Sequence, residues 1–208
     1  MTQYVYICGD SFCASDPEYP KITPWHELIP DAKTLGRNCA SNLLISQQVQ
    51  QAIDQNPKFI IVSFTSSLRS EIIWDGEVTP FSWLSLDHTT PFDQKTLDTL
   101  RQMFDKIDLN TEIARSKLII ESTLQRLVDS NIPFLFGQGG FEHPSYGGVG
   151  TYFTKYDQYR SELCLWDYAD TRTHRPYYHI TDQTVHNKIA KYFKEKINSK
   201  ILVDFLVK

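Results

Sequence analysis

Tyr4-Val5-Tyr6-Ile7-Cys8-Gly9-Asp10-Ser11-Phe12 is a short β-prone run that stops abruptly at a Gly-Asp-Ser turn. β-branched and aromatic residues without a breaker predict a buried strand over the first five of these positions. Gly9 permits a sharp exit of the backbone. The hydroxyl of Ser11 is thereby expected at the carboxyl edge of a central strand, where open α/β sheets hold their ligands. Gly-Asp-Ser is also ordinary turn chemistry, and the plainer reading is that Ser11 merely caps the segment that follows.

Working outward, the elements alternate in a βα manner, which favours a parallel sheet with helices on both faces. A Pro-rich segment, Asp16 to Pro30, is expected on the surface. A helix is predicted to begin near Ser41 or Asn42, both good N-caps, with Ile45, Val49, Ala52 and Ile53 at helical spacing. Phe59-Ile60-Ile61-Val62 reads as a strand buried on both faces. Residues 75 to 95 form a turn-rich insertion flanked by or carrying Trp74, Phe81 and Trp83, aromatics that belong to a core or, if exposed, suit stacking on sugar rings. Helices are expected over Lys95–Ile107 and Asn110–Ser130, the second closed by Asn131. Ile132 to Phe136 makes a further strand, followed by a Gly-rich loop from Gly137 to Gly150. The last helix runs from about Asp182 to Asn198 with Val185, Ile189, Phe193 and Ile197 on one face. No internal repeat or low-complexity segment interrupts this order.

Composition narrows the function classes. At 208 residues the chain is of a length for one domain with a sizeable core. A net charge of −4 gives no footprint for nucleic acid. No apolar run approaches the roughly 20 residues that a membrane helix needs. The start of the chain runs directly into a strand and carries no signal-peptide pattern, so the cytoplasm is the expected compartment. Cys8, Cys13, Cys39 and Cys164 form no CxxC pair, and Cys8 and Cys39 are expected as buried thiols. No His and carboxylate grouping has metal-ligand spacing, and Gly137-Gln138-Gly139-Gly140 lacks the Lys-Ser/Thr of a phosphate loop, so neither metal nor cofactor is assigned.

A serine at a strand edge is unreactive unless a base takes its proton and donors hold the developing oxyanion. Leu35 to Asn42 is a small-residue turn ahead of a helix, whose first backbone N–H groups have no intrahelical partner and suit an anion. The strand Phe59–Val62 leads into Ser63-Phe64-Thr65-Ser66-Ser67-Leu68-Arg69, where the Thr65 hydroxyl can donate one hydrogen bond. Arg69 and Glu71 could serve an anionic or sugar substrate or simply pair with each other. Pro176-Tyr177-Tyr178-His179-Ile180-Thr181-Asp182 stands just before the last helix and supplies an imidazole in a loop.

In these positions the chain resembles the GDSL/SGNH hydrolases through four ordered blocks. Gly9-Asp10-Ser11 after the first strand is similar to their first block, whose serine is the nucleophile. Ala40 stands where the second block has its oxyanion glycine, and it retains the N–H. Thr65 stands where the third block has asparagine, a Thr-Ser…Arg pattern that looks like a divergent branch often encoded by tailed phages. His179 stands at the histidine of the last block, Asp-x-x-His, with Pro176 replacing the orienting aspartate.

The resemblance implies a three-layer α/β/α sandwich with a central, mainly parallel sheet of flavodoxin-like appearance, as a single domain over 1–208 with an insertion around 75–110. It implies a serine esterase acting on acyl esters, O-acetyl groups on carbohydrate among them. Ser11 would be the nucleophile and His179 the base, with His186 as the alternative, expected on the helix surface or packed near its N-terminus. Asp182 is first a helix N-cap and otherwise the group that orients the imidazole. The N–H groups of Ser11 and Ala40, with Thr65, would form the oxyanion hole, and Arg69 and His143 would contact substrate. Small-molecule or carbohydrate esters are the expected partners, with no nucleic acid and no membrane. A catalytically degenerate binding or structural protein, or an acyltransferase to a sugar, are the competing readings of the same scaffold.

Overall fold

The computed structural model of the chain describes residues 4–15, 20–83, 92–138, 153–168 and 180–206. Its centre is a parallel sheet in the order β2-β1-β3-β6. The strands are β1 (Val5–Cys8), β2 (Ala32–Thr34), β3 (Phe59–Phe64) and β6 (Phe134–Gln138). Register runs Val5 beside Ala32 on one side and Val5 beside Phe59 on the other, with Ile60 beside Phe134. β1 and β3 are therefore interior strands, and every residue of both is buried. That explains their near-continuous apolar runs, since a strand covered on both faces has no polar side to present.

Each face has its own core. Tyr6, Cys8, Ile60, Val62, Phe64, Phe134 and Phe136 pack against α1 (Asn42–Asp54) and α3 (Leu109–Asp129). Val5, Ile7, Phe59, Ile61 and Leu135 point the other way, onto Trp25 and α4 (Gln183–Leu206). The alternation follows from the two-residue period of a strand. The architecture is thus an α/β sandwich, helices over both faces of a parallel sheet, as the sequence led one to expect.

Several boundaries move. β2 has no counterpart in the sequence reading, because Ala32-Lys33-Thr34 carries no apolar run. Asp16–Pro30 is not wholly surface: within its described part, Trp25 is fully buried and His26 and Ile29 nearly so. The turn-rich insertion opens with an antiparallel hairpin, β4 (Arg69–Trp74) and β5 (Glu77–Ser82). Asp75 and Gly76 make its two-residue turn with φ of 49° and 79°, the twist that a tight hairpin requires. Phe81 and Trp83 meet edge to face at 4.7 Å and close a small third core with Leu68, Phe92 and Leu100 of α2 (Gln94–Phe104), so these aromatics are core. Among the cysteines, Cys8 is buried as expected, but Cys39 is only half-buried at a positive φ of 58°, and Cys13 is the second buried thiol. No helix among the described residues is long and apolar enough to cross a membrane.

Candidate active site

The carboxyl edge of β1 is built by close approach. An added Cβ at Gly9 would lie 2.5 Å from Cys13 Sγ, so the turn closes only without a side chain there. Gln48 of α1 clamps the same glycine, its Oε1 accepting the Gly9 N–H at 2.7 Å and its Nε2 donating to the Gly9 carbonyl at 3.2 Å. Arg37 N–H donates to that carbonyl as well, at 3.2 Å.

Asp10 follows, fully buried. One carboxylate oxygen accepts the Phe12 N–H at 3.1 Å and caps the 3₁₀ turn Ser11–Cys13. The other accepts the Thr65 hydroxyl at 2.8 Å and stands 3.2 Å from Arg69 Nη1. A buried carboxylate is costly unless such donors surround it. Here they tie the end of β1 to the segment after β3 and to the start of β4. Ser11, first residue of the 3₁₀ turn, is half-buried, and its carbonyl accepts the Ala14 N–H at 3.2 Å. Its position at the strand edge is the one that the sequence suggested.

Thr65 is held in turn by Asn42. The Asn42 carboxamide accepts the Thr65 N–H and donates to the Thr65 carbonyl, both at 2.9 Å, and also donates to Ser116 Oγ at 2.8 Å. The proton of the Thr65 hydroxyl goes to Asp10. Ala40 is fully buried, and its N–H donates to the Arg37 carbonyl at 3.2 Å. Ser41 caps α1 by accepting the Leu44 N–H at 3.2 Å. Beside this helix start lies a small open pocket lined by Ser41, Asn42, Ser67, Arg69, Arg115 and Ser116. The Arg69 side chain is 6% exposed there, and the ion pair with Asp10 accounts for its direction.

His143 and His179 lie outside the described residues. Asp182 is exposed, and its carboxylate accepts the Thr184 N–H at 2.7 Å as α4 begins. That bond holds its carboxyl below the usual range. The cap is the role seen. Of the two placements expected for His186 the packed one is seen: it is buried near the N-terminus of α4, with the Trp25 N–H 3.0 Å from Nδ1 and the Ile180 carbonyl 3.0 Å from Nε2. An N–H can only donate and a carbonyl only accept, so Nδ1 is bare and Nε2 carries the proton. Both ring nitrogens are therefore engaged, and burial lowers the pKa of the ring.

Sequence reasoning passed over three groups that shape this edge. Asp10, Asn42 and Gln48 make their bonds to residues 55, 23 and 39 positions away, distances over which no local pattern speaks. His26 is a fourth buried polar group: its pKa is lowered mainly by burial, and its Nε2 has no hydrogen-bond partner among the described residues. Among the described residues no group of His, Cys, Asp and Glu could hold a metal ion.

No protein-family model matches this chain, and no curated protein matches it in sequence. Solved structures do resemble it. One, the crystal structure of a "putative acylhydrolase" from Bacteroides fragilis, aligns over 96% of this chain and 88% of that one, with a TM-score of 0.51 at 10% identity. At that identity the likeness is one of fold.

Proposed function

We propose that this chain is a serine esterase of the SGNH type, of the divergent sort often encoded by tailed phages, hydrolysing acyl esters. What carries the reading is Ser11: a half-buried serine just beyond the carboxyl end of β1, on a turn that buried Asp10 locks from inside. The fold shared with a protein described as an acylhydrolase supports it. In this mechanism Ser11 Oγ attacks the acyl carbon while the His179 imidazole takes its proton. The tetrahedral oxyanion collapses to an acyl-serine, and the imidazolium gives its proton to the departing alcohol. Water then repeats the sequence and releases the acid. The Ser11 N–H is the leading oxyanion donor. Ala40 N–H joins it by sharing its bond to Arg37, and Thr65 acts chiefly by fixing Asp10. Acetyl esters of carbohydrate are the proposed substrates, with Arg69 and His143 as contacts.

Two bonds favour a second reading, a binding module on a silent SGNH-like scaffold. The Thr65 hydroxyl and the Ala40 N–H, both assigned to the oxyanion hole, each donate to another group. One experiment separates the two. A fluorophosphonate probe should label the wild-type protein and not Ser11→Ala, and p-nitrophenyl acetate should be turned over only by the former. Absence of labelling in the wild type would establish the binding module instead. Transfer to a sugar differs from hydrolysis only in the acceptor, and product analysis with added monosaccharide distinguishes it.

A further inference from the structure

The pocket beside the start of α1 is lined mainly by hydrogen-bond donors. Asn42 and Leu43, the first two helical positions of α1, line it with N–H groups that have no carbonyl to reach within the helix. Ser41 Oγ accepts the Leu44 N–H at 3.2 Å, and Ser116 Oγ accepts from Asn42 Nδ2 at 2.8 Å. Each of these hydroxyls has an incoming donor and keeps its own O–H to give. Ser67, between β3 and β4, also lines the pocket; it is 7% exposed and its hydroxyl makes no hydrogen bond among the described residues. Arg69 of β4 and Arg115 of α3 add two guanidinium groups. Against all of these the lining holds a single carboxylate among the described residues, Glu112, 3.4 Å from Arg115 Nη1.

We propose that this pocket binds a compact oxyanion, the carboxylate or phosphate group of a small molecule. The site goes beyond the esterase reading and does not depend on the chemistry of Ser11. Donors meet here with few acceptors to match them, and the start of α1 adds the positive end of its dipole. A neutral hydroxyl would bring one more proton to a place already rich in them; an oxyanion brings acceptors only. The two cations are not equally committed. Arg69 stands 3.2 Å from Asp10, which is fully buried and also held by the Phe12 N–H and the Thr65 hydroxyl, so that pair stays in place. The Arg115–Glu112 pair is longer and partly exposed, and such pairs contribute little. An arriving oxyanion therefore takes the place of Glu112 on Arg115 while Ser67 and the α1 N–H groups hold its other oxygens. Carboxylate and phosphate share the paired oxygens that a guanidinium receives side by side, and chloride has none.

The test follows the amide signals of Asn42, Leu43 and Ser67 in ¹⁵N–¹H spectra of the whole chain. Sodium acetate and sodium phosphate are titrated separately, with sodium chloride at matched ionic strength as the control. At least one of the two oxyanions should shift these signals saturably, and the tighter of them identifies the group preferred. Ser67→Ala removes a hydrogen bond to a charged group and should weaken that binding about 10-fold. Arg115→Gln should weaken it about 3-fold, the share of a partly exposed charge, and Glu112→Gln should tighten it by a similar factor. Arg115 and Glu112 lie on the partly exposed side of α3, so their variants carry the test where Ser67→Ala does not fold. Shifts that follow ionic strength alone, or an affinity that neither Arg115→Gln nor Glu112→Gln alters, overturn the proposal and leave the reading of Ser11 untouched. A wild type that does not react with a fluorophosphonate removes the esterase reading and leaves this site standing.

Discussion

Replacing Asp10 by Asn tests whether the buried carboxylate holds the strand edge together. The asparagine keeps an oxygen for the Phe12 N–H, so the 3₁₀ turn can still form. At the other end the new amide faces Arg69 Nη1, donor against donor, while the Thr65 hydroxyl can rotate to accept. The loss is concentrated on the ion pair. Its two side chains are 6% and 0% exposed, so water screens neither. Removing one member of such a buried pair costs about 3–5 kcal/mol. Against a total stability of about 5–15 kcal/mol, that is a large share. Urea denaturation followed by circular dichroism measures it, provided the slope with denaturant stays constant. Arg69→Met should cost a similar amount by taking the cation from beside the buried carboxylate. The double variant should then cost much less than the sum. A loss under about 1 kcal/mol for Asp10→Asn, or additivity within about 0.5 kcal/mol, would refute the reasoning.

Gly9→Ala forces a Cβ to within 2.5 Å of Cys13 Sγ and should destabilise by about 1–3 kcal/mol, part of it recovered in Gly9→Ala/Cys13→Ala; thermal melts give both values. Burial lowers the pKa of His26 and His186 in the folded protein, so the unfolded chain takes up protons first as pH falls through about 6.5. Stability should accordingly be level above that pH and decline below it towards the folded values. A urea midpoint that stays flat down to about pH 5 would contradict this. Asp182→Ala should lower the melting temperature through loss of the cap while leaving ester turnover in place; a dead but equally stable enzyme would make Asp182 the orienting acid instead. Thr65→Val deletes a hydrogen bond to a charged group and should cost about 1.5–3 kcal/mol in urea, with Thr65→Ser close to wild type.

The layers of the fold were legible because burial on both faces leaves a trace that needs no partner to be read. Phe59 to Val62 and the run up to Cys8 are apolar wherever they point. Ser41 announced α1 for an equally local reason, since a cap is decided within one turn. Ala32-Lys33-Thr34 has no such trace; it is a strand because the Leu35 N–H reaches the Ile7 carbonyl and its neighbours follow in register. The hairpin is legible in principle from Asp75-Gly76, the dipeptide that two-residue turns favour. At the site, Ser11 could be placed from its strand. The partners of Asp10 could not, because a carboxylate beside a serine gives no sign of whether Thr65 or Arg69 will fold onto it. Trp25 likewise sits among prolines that suggest a surface, and its N–H finds His186 from 161 positions away.

The carboxamides of Gln48, Asn42 and Gln183 each grip one backbone residue by its N–H and its carbonyl together. A carboxamide is chemically a peptide group, so these three side chains act as one-residue strands, continuing the pairing of the sheet where its neighbours have run out. Being uncharged, they do not titrate, and added salt has no charge of theirs to screen. The edge that carries Ser11 should therefore keep its shape across ionic strengths that loosen surface pairs such as Lys58–Asp31. It also sets a strict chemical limit on substitution. At Asn42 and Gln48 the isosteric carboxylate turns a donor into a second acceptor facing a carbonyl, so the change that alters shape least disturbs the strand edge most.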